Sequence, residues 1–260
     1  MSTPIKLIST DFDGTLFAEF ESPPIPPELL RLIGQLREQG AKWVINTGRE
    51  MSSLMESLAR AGVEVEPDYL VLVEREIHRH DRSLYLPLED WNAACTRTHA
   101  DLFAVIEPSL PRLIASINQR FHASIYEDAY SPLCLIARDN EQMDGIHAQL
   151  DEFCQSFPNL TVVRNDVYAR FSHRDYNKGS ALGEIARRLG IPSAQVLAVG
   201  DHLNDLPMLS RQYAAFLAAP SNAIPLVKET VRRAGGYLSP HPHGHGVADA
   251  IKYYAAPAGR

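Results

Sequence analysis

Two aspartates one residue apart, placed directly after a short apolar run, constrain the fold of this chain more than any other feature. Ile5-Lys6-Leu7-Ile8 has the apolar, β-rich character of a buried strand, and the sequence continues into Asp11-Phe12-Asp13-Gly14. Carboxylates so close together repel each other, and their burial costs free energy unless a positive group pairs with them. A divalent cation with oxygen ligands is the natural partner, and Gly14 allows the chain to turn sharply. We therefore predict a cation-binding turn after the first strand.

The composition is that of a globular protein and argues against a nucleic-acid partner. The chain has 260 residues, of which 45% are hydrophobic and 22% are charged, which suffices for a core with an inserted module. Its net charge of −7 opposes binding to a phosphate backbone. A metal and a few local cations still allow a small anionic substrate.

Targeting signals and cysteine usage favour a cytoplasmic protein. The sequence shows no secretory signal and no apolar segment long enough to span a bilayer, so we expect no membrane association. Cys95, Cys134 and Cys154 are scattered without CxxC spacing, which indicates reduced thiols in the core. Nothing in the sequence points to an obligate protein partner.

The first part of the chain alternates strands with helices, which predicts a parallel sheet. Apolar strands are expected at 43–45 and 69–73, and helices follow Pro27 and Arg49. In parallel sheets ligands bind beyond the carboxyl ends of the strands. Thr47 follows the second strand as Asp11 follows the first, so we expect both in one pocket. The alternative for Thr47 is a cap on the following helix.

From Ile77 the pattern changes to that of an inserted module. His78–Ser83 is predicted to be a polar hairpin turn, and helices are expected from about residue 90 to 121 with a break at Pro108 or Pro111. Strand, strand, helix, strand and strand then follow up to about residue 171. We predict a core domain formed by residues 1–87 and 172–260 and an inserted α+β domain at 88–171.

The core resumes at Lys178, which opens a helix. A lysine is unfavourable at a helix N-terminus, so we expect an anionic group nearby. The buried strand at 196–199 then ends in Gly200-Asp201-His202-Leu203-Asn204-Asp205, where two acids and an amide follow the strand directly. A further helix is predicted at Leu206–Leu209.

These four segments, in this order, resemble the four motifs of the haloacid dehalogenase superfamily of phosphotransferases. The motifs are DxDGT at Asp11, Thr-Gly-Arg at Thr47, the lysine of Asn-Lys-Gly at Lys178 and GDxxND at Asp201. The inserted module resembles the type IIB cap of the Cof-type and sucrose-phosphatase-like branch. The resemblance implies an α/β fold: a Rossmann-like parallel-sheet core with an inserted α+β cap of type C2B.

The resemblance also implies roles for individual residues. Asp11 would be the nucleophile, and Asp13 the acid/base whose backbone carbonyl also binds Mg2+. Thr47 and Lys178 would stabilise the phosphoryl group. Asp201 would be a direct Mg2+ ligand, and Asp205 would bind the metal or its water, so the implied metal set is Asp11, Asp13, Asp201 and Asp205. The implied substrate-binding set is Thr47, Gly48, Arg49, Lys178, Asn204, Arg170, Arg174 and Asn222.

Three functions remain open at this stage. The first is a Mg2+-dependent phosphatase that acts on a small phosphorylated metabolite, with a sugar phosphate as the expected class. The second is a phosphomutase, or other phosphotransferase, of the same superfamily. The third is a non-catalytic phospho-acceptor module, against which the inserted cap and Asp13 argue.

Two segments lie outside the motifs. Glu74-Arg75-Glu76 stands where Cof-type relatives often have Asn-Gly or Gly-Thr, which leaves the substrate open. His241, His243 and His245 alternate before the last helix. A surface loop is expected there, with a zinc site or a substrate or pH role as the alternatives.

Overall fold

The computed structural model describes residues 5–256, which form two compact units. One unit comprises the chain up to Glu89 and from Lys178 onward, and the other comprises Asp90–Asn177. The strands, in chain order, are β1 Leu7–Thr10, β2 Lys42–Asn46, β3 Tyr69–Leu72, β4 Glu76–Asp81, β5 Leu84–Pro87, β6 Ala123–Tyr126, β7 Cys134–Ala137, β8 Leu160–Asn165, β9 Tyr168–His173, β10 Val196–Val199, β11 Phe216–Ala219 and β12 Tyr237–Leu238. The helices are α1 Pro27–Glu38, α2 Met51–Arg60, α3 Glu89–Ile106, α4 Leu110–Arg120, α5 Asn140–Cys154, α6 Lys178–Leu189, α7 Pro225–Arg233 and α8 His243–Ala255.

The first unit contains an eight-stranded sheet in the order β12-β11-β10-β1-β2-β3-β4-β5. The six strands from β12 to β3 are parallel, and β4 and β5 are added antiparallel at one edge. The residues of β1, β3 and β10 are buried throughout, as expected for strands covered on both faces. This is the α/β core that the alternating pattern predicted.

The helices cover the sheet with amphipathic faces. Pro27 begins α1, where its missing N–H removes no helical hydrogen bond, and Leu29, Ile33 and Leu36 form the buried face. Gly40 follows this helix with φ +88°, a conformation that glycine adopts without strain. These helical side chains pack against the apolar residues of β1 and β2 in one continuous core.

The second unit is an antiparallel sheet in the order β6-β7-β9-β8, packed against α3, α4 and α5. Its helices and strands follow the predicted order, and the helical segment breaks in a 3-10 turn at Glu107–Ser109, which contains Pro108. The fold class is therefore confirmed: an α/β core interrupted by an α+β insertion. No helix within residues 5–256 is long and apolar enough to cross a membrane.

Three local predictions were wrong. His78–Asp81 belongs to β4, and the hairpin turn is shorter and contains Arg82 at φ +60°. The helix expected at Leu206–Leu209 is absent, because the amides of Met208 and Leu209 both bond to the carbonyl of Asp205 and close a single turn. The segment expected to be a loop up to Val247 already enters α8 at His243.

Candidate active site

Three neighbouring strands of the core place polar residues at one edge of the sheet. β10, β1 and β2 lie side by side and are parallel, so Asp201, Asp11 and Thr47 follow strand ends at the same edge. The backbone amide of Asp11 donates to Val199 O at 2.9 Å, which continues the β-type pairing into the loop. The topology thus brings the first, second and fourth motifs together.

Lys178 lies between two carboxylates of this edge. Its Nζ donates to Asp11 Oδ1 at 2.5 Å and to Asp205 Oδ1 at 2.6 Å, and all three side chains are buried. Burial by itself lowers the pKa of Lys178, but the charges of Asp11, Asp205 and Glu74 outweigh burial and raise it. The lysine is therefore held as a cation at the start of α6, where the sequence indicated an anionic neighbour.

Asp205 stabilises the loop that carries Asp201 through hydrogen bonds. Its Oδ2 accepts hydrogen bonds from the backbone amides of Asp201 at 2.8 Å and His202 at 3.0 Å. Its other oxygen accepts from Lys178. Both oxygens of Asp205 are thus occupied by donors, which fixes the positions of the loop and the lysine.

Asp11, Asp201 and Asp205 are the only group of three metal-ligating side chains found among residues 5–256. Each offers one oxygen, and these oxygens lie within 4.8 Å of one another. Burial, followed by repulsion from Asp205, raises the pKa of Asp11 well above its usual range and raises the pKa of Asp201 to about 7. An all-oxygen set with excess negative charge suits a hard divalent cation such as Mg2+. Because Asp205 already accepts three hydrogen bonds, Asp11 and Asp201 are the better direct ligands.

Gly14 allows the first motif to lie close to Asp201. It has φ +79°, and a Cβ at this position would come within 2.6 Å of Asp201 Oδ2. The next residue, Thr15, donates its hydroxyl to Asp201 Oδ1 at 2.7 Å. The glycine is thus required both by the turn and by the approach of the two acidic loops.

Both carboxylate oxygens of Asp13 accept hydrogen bonds from the guanidinium group of Arg49. Arg49 donates from Nε to Asp13 Oδ2 at 2.7 Å and from Nη2 to Asp13 Oδ1 at 2.5 Å. The hydrogen bond to Asp13 raises the pKa of Arg49. The guanidinium also lies over the rings of Phe12 and Phe17 and donates to Ser57 Oγ at 2.7 Å. Arg49, expected to bind substrate, is bound to the second aspartate of the first motif in this structure.

Thr47 is buried at the end of β2, and its Oγ1 accepts from the amide of Arg49 at 3.1 Å. This bond stabilises the turn before α2, as in the capping alternative, although the residue that precedes the helix is Glu50. Gly48 follows, and the carboxylate of Glu74 lies 3.2 Å from the position that a Cβ of Gly48 would occupy. The second motif is therefore in contact with Glu74.

Asn222 and His243 both bind the carbonyl of Gly14. Asn222 Nδ2 lies 2.8 Å and His243 Nδ1 lies 2.9 Å from this oxygen, and the backbone amide of His243 donates to Asn222 Oδ1 at 2.8 Å. Asn222 was expected at the site, whereas His243 was assigned to a surface loop. The alternating histidines were its only sequence signal.

The three histidines are not gathered into one site. His241 Nδ1 lies 2.7 Å from Asp249 Oδ2, His243 binds the first loop, and His245 is exposed. No group of three metal-ligating side chains within residues 5–256 includes them. The zinc alternative therefore finds no support in the described part of the chain.

Asn204 pairs with Glu74. Its Nδ2 donates to Glu74 Oε1 at 2.9 Å, and both side chains are buried. Glu74 was not among the predicted site residues, and it connects the hairpin after β3 with the fourth motif. Its only sequence signal was the departure from Asn-Gly at this point.

Arg170 and Arg174 belong to the second unit. Arg170 is buried in β9 with its guanidinium 5.7 Å from the centre of the Tyr168 ring. Arg174 is exposed, and its amide donates to Asn159 O at 2.8 Å. Their role in substrate binding stays a prediction.

Comparison with known proteins identifies the family. Residues 8–73 and 114–251 match the sequence profile of a family described as haloacid dehalogenase-like hydrolase. The chain belongs to this family. The resemblance inferred from the four motifs is therefore confirmed, because the matched residues include all four.

Several relatives of this haloacid dehalogenase-like hydrolase are named as phosphatases. It is 25% identical to 5-amino-6-(5-phospho-D-ribitylamino)uracil phosphatase YcsE of Bacillus subtilis (strain 168), over 96% of each chain. It is 37% identical to a phosphoglycolate phosphatase of Methanothrix thermoacetophila over 54% of this chain and 59% of that protein. The structure of sucrose-phosphatase from Synechocystis sp. PCC6803, in complex with sucrose and phosphate, superposes with a TM-score of 0.72 at 18% identity, covering 97% and 98% of the two chains. This hydrolase is thus a phosphoric monoester hydrolase.

Proposed function

We propose that the chain hydrolyses the phosphate monoester of a small metabolite, with a sugar phosphate as the expected class, in a Mg2+-dependent reaction that passes through an aspartyl phosphate at Asp11. The observation that carries this proposal is the Asp11 carboxylate, held by Lys178 at 2.5 Å beside Asp201 at the carboxyl edge of the sheet. A fixed, charge-paired carboxylate next to an acidic metal set is suited to attack phosphorus.

The residues present fit a magnesium ion. Asp11 and Asp201 would hold it through carboxylate oxygens, with the backbone carbonyl of Asp13 as a further ligand. Asp205 would stabilise the loop that carries Asp201 by accepting its backbone hydrogen bond. When bound, Mg2+ neutralises phosphoryl charge and orients the nucleophile.

The first step transfers the phosphoryl group to Asp11. A carboxylate oxygen of Asp11 forms a bond to phosphorus while the bond between phosphorus and the leaving oxygen breaks. Asp13 donates its proton to that oxygen, so the substrate leaves as an alcohol. Lys178 and the Thr47 hydroxyl stabilise the charge on the phosphoryl oxygens. Arg49 holds the Asp13 carboxyl in place through one hydrogen bond to each oxygen, and each oxygen retains a second lone pair that can carry the proton.

The second step releases phosphate. Asp13, now ionised, takes a proton from a water molecule whose oxygen attacks phosphorus. The bond between phosphorus and the Asp11 oxygen then breaks, which restores the carboxylate. Lys178 stays paired with that carboxylate and with Asp205, so the nucleophile returns to the same position.

The substrate class rests on the sequence resemblance and on the names of the relatives. These names include a ribitylaminouracil phosphate, phosphoglycolate and HMP-PP, all small phosphorylated compounds. We propose that residues of the inserted domain, Arg170 and Arg174 among them, select the alcohol. Substitution of either arginine should then change the preference among substrates more than the hydrolysis of an aryl phosphate.

The experiment that tests this function is phosphate release from a panel of sugar phosphates, nucleotides and an aryl phosphate, with Mg2+ and with EDTA. We expect Mg2+-dependent release that Asp11→Asn abolishes. Asp81→Asn, at an exposed aspartate of β4, is the matched control and should retain full activity. Release that persists in Asp11→Asn or in EDTA would refute the mechanism.

A further inference from the structure

The hairpin between β3 and β4 has an unfavourable sequence for its turn. Val73 and Glu74 have φ +43° and +68°, and the amide of Arg75 donates to Leu72 O at 3.0 Å. Two successive residues with positive φ, closed by this hydrogen bond, form a type I′ turn, for which Asn-Gly is the preferred pair. A β-branched valine with positive φ is an outlier. Strain of this kind is typically retained where the side chains have a function.

The side chain of Glu74 contacts two of the four motifs. It is 4% exposed, accepts from Asn204 Nδ2 at 2.9 Å and packs against Gly48. Its backbone amide donates to Thr47 O at 2.9 Å, which fixes the turn to the end of β2. The turn therefore places a carboxylate beside the residues that we propose bind the phosphoryl group.

This carboxylate adds negative charge to a site that binds an anion. The Glu74 carboxylate lies against Gly48 and bonds to Asn204, so its charge is located next to the second and the fourth motif. The neighbouring loops already contribute the acidic set of Asp11, Asp201 and Asp205. An incoming phosphate is thus repelled by one more fixed charge than the motifs alone would supply.

The hydrogen bond to Glu74 also determines how the side-chain amide of Asn204 is oriented. Because Glu74 accepts the hydrogen bond, Nδ2 of Asn204 is assigned to that side. Asn204 Oδ1 is buried and has no hydrogen-bond partner among residues 5–256. The amide therefore keeps its acceptor available for a donor.

We propose that Glu74 is a positioning residue of the phosphoryl site: it orients the Asn204 amide with its oxygen available to a donor, and its charge limits how tightly inorganic phosphate is retained. This inference rests on the proposed function, because it assigns the site to a phosphoryl group. Weaker retention of phosphate frees the site for the next substrate. The carboxylate of Glu74 thus favours release of the phosphate product and, with it, turnover.

The charge is tested by Glu74→Gln, which keeps the size of the side chain and an acceptor for Asn204. Binding of inorganic phosphate in the presence of Mg2+ is measured by calorimetry on the full chain, with Glu76→Gln as the matched control. We expect Glu74→Gln to bind phosphate about tenfold more tightly, since one nearby unit charge is removed at an effective dielectric constant of about 20. Glu76→Gln should bind as the wild type does. An unchanged or weaker affinity in Glu74→Gln would overturn the charge role.

The orientation is tested by exchanging donor and acceptor. Asn204→Asp sets two carboxylates against each other and should lower kcat/KM on an aryl phosphate. In Glu74→Gln/Asn204→Asp the introduced amide donates to the introduced carboxylate, and we expect at least a tenfold recovery relative to Asn204→Asp. Absence of recovery would overturn the positioning role. If the wild type shows no phosphatase activity, the proposed function is refuted instead. The calorimetric test of the charge of Glu74 does not depend on turnover.

Discussion

Replacement of Lys178 by methionine removes the cation that separates two buried carboxylates. The lysine side chain is fully buried, and Nζ contacts Asp11 at 2.5 Å and Asp205 at 2.6 Å. Methionine fills a similar volume, so the principal change is the loss of charge pairing. Removal of one partner of a buried ion pair costs about 3–5 kcal/mol, because the remaining charge is uncompensated. In the absence of Mg2+ we expect the free energy of unfolding to fall by this amount.

This loss is large against a typical total stability of about 5–15 kcal/mol, so it should move the urea midpoint by at least about 1 M. Added Mg2+ should stabilise Lys178→Met more than the wild type, since the cation neutralises the carboxylates that the lysine no longer pairs. Urea unfolding in EDTA and in Mg2+ measures both effects.

The matched control is Lys252→Met. Lys252 lies 2.7 Å from Glu28, but its side chain is 47% exposed, and surface pairs contribute little. The control should leave the midpoint unchanged in both buffers. Equal losses in the two variants, or equal gains from Mg2+ in Lys178→Met and the wild type, would refute the argument.

Three further predictions concern single side chains. Arg49→Ala should lower kcat about 10–100-fold more for an alkyl phosphate than for an aryl phosphate, since the poorer leaving group depends on a correctly placed Asp13; equal losses would contradict this. Asp68→Asn should lower the free energy of unfolding by about 1–3 kcal/mol at pH 7. Partial burial raises the pKa of Asp68, but the hydrogen bond from the Trp43 amide and two basic side chains lower it overall. Its contribution is therefore present above about pH 4, the usual Asp value, and lost as the pH falls through the lower pKa of the folded state, so the difference between the urea midpoints of wild type and variant should shrink as the pH falls below that value. Val73→Asn relieves the turn but puts an amide at a buried position, so it should lower the free energy of unfolding by about 1–3 kcal/mol; a higher urea midpoint would show that the strain at the valine outweighs its burial.

The position of the site was predictable because it follows from sheet topology. Parallel strands end at a common edge, so a motif that follows one buried strand must lie near a motif that follows its neighbour. The placement of Asp11 and Thr47 in one pocket needed no further information, whereas Asp201 was assigned from its resemblance to the fourth motif. Lys178 was indicated by an electrostatic mismatch at a helix start, and the structure places it between two carboxylates.

The contacts of Glu74 and His243 were not predictable in this way. Glu74 reaches Asn204 across 130 positions of sequence, and His243 reaches Gly14 across 229. Both contacts depend on backbone turns with positive φ at Glu74 and His243, which hydrophobic periodicity does not reveal. A departure from the preferred turn sequence was the signal available at Glu74.

Lys178 is also the residue at which the chain re-enters the core from the inserted unit. It is anchored twice at this point, by Nζ to Asp11 and by its backbone carbonyl, which accepts from Asn46 Nδ2 at 2.9 Å. Lys178 is thus both a residue of the proposed active site and the first residue after the insertion. The contacts that fix its position come from Asp11 and Asn46 of the core. We therefore expect that a module of different length could replace residues 90–177 while Lys178 keeps its contacts with Asp11 and Asp205. If the insertion selects the substrate, as we propose, then a change of insertion would change the substrate and keep the reaction.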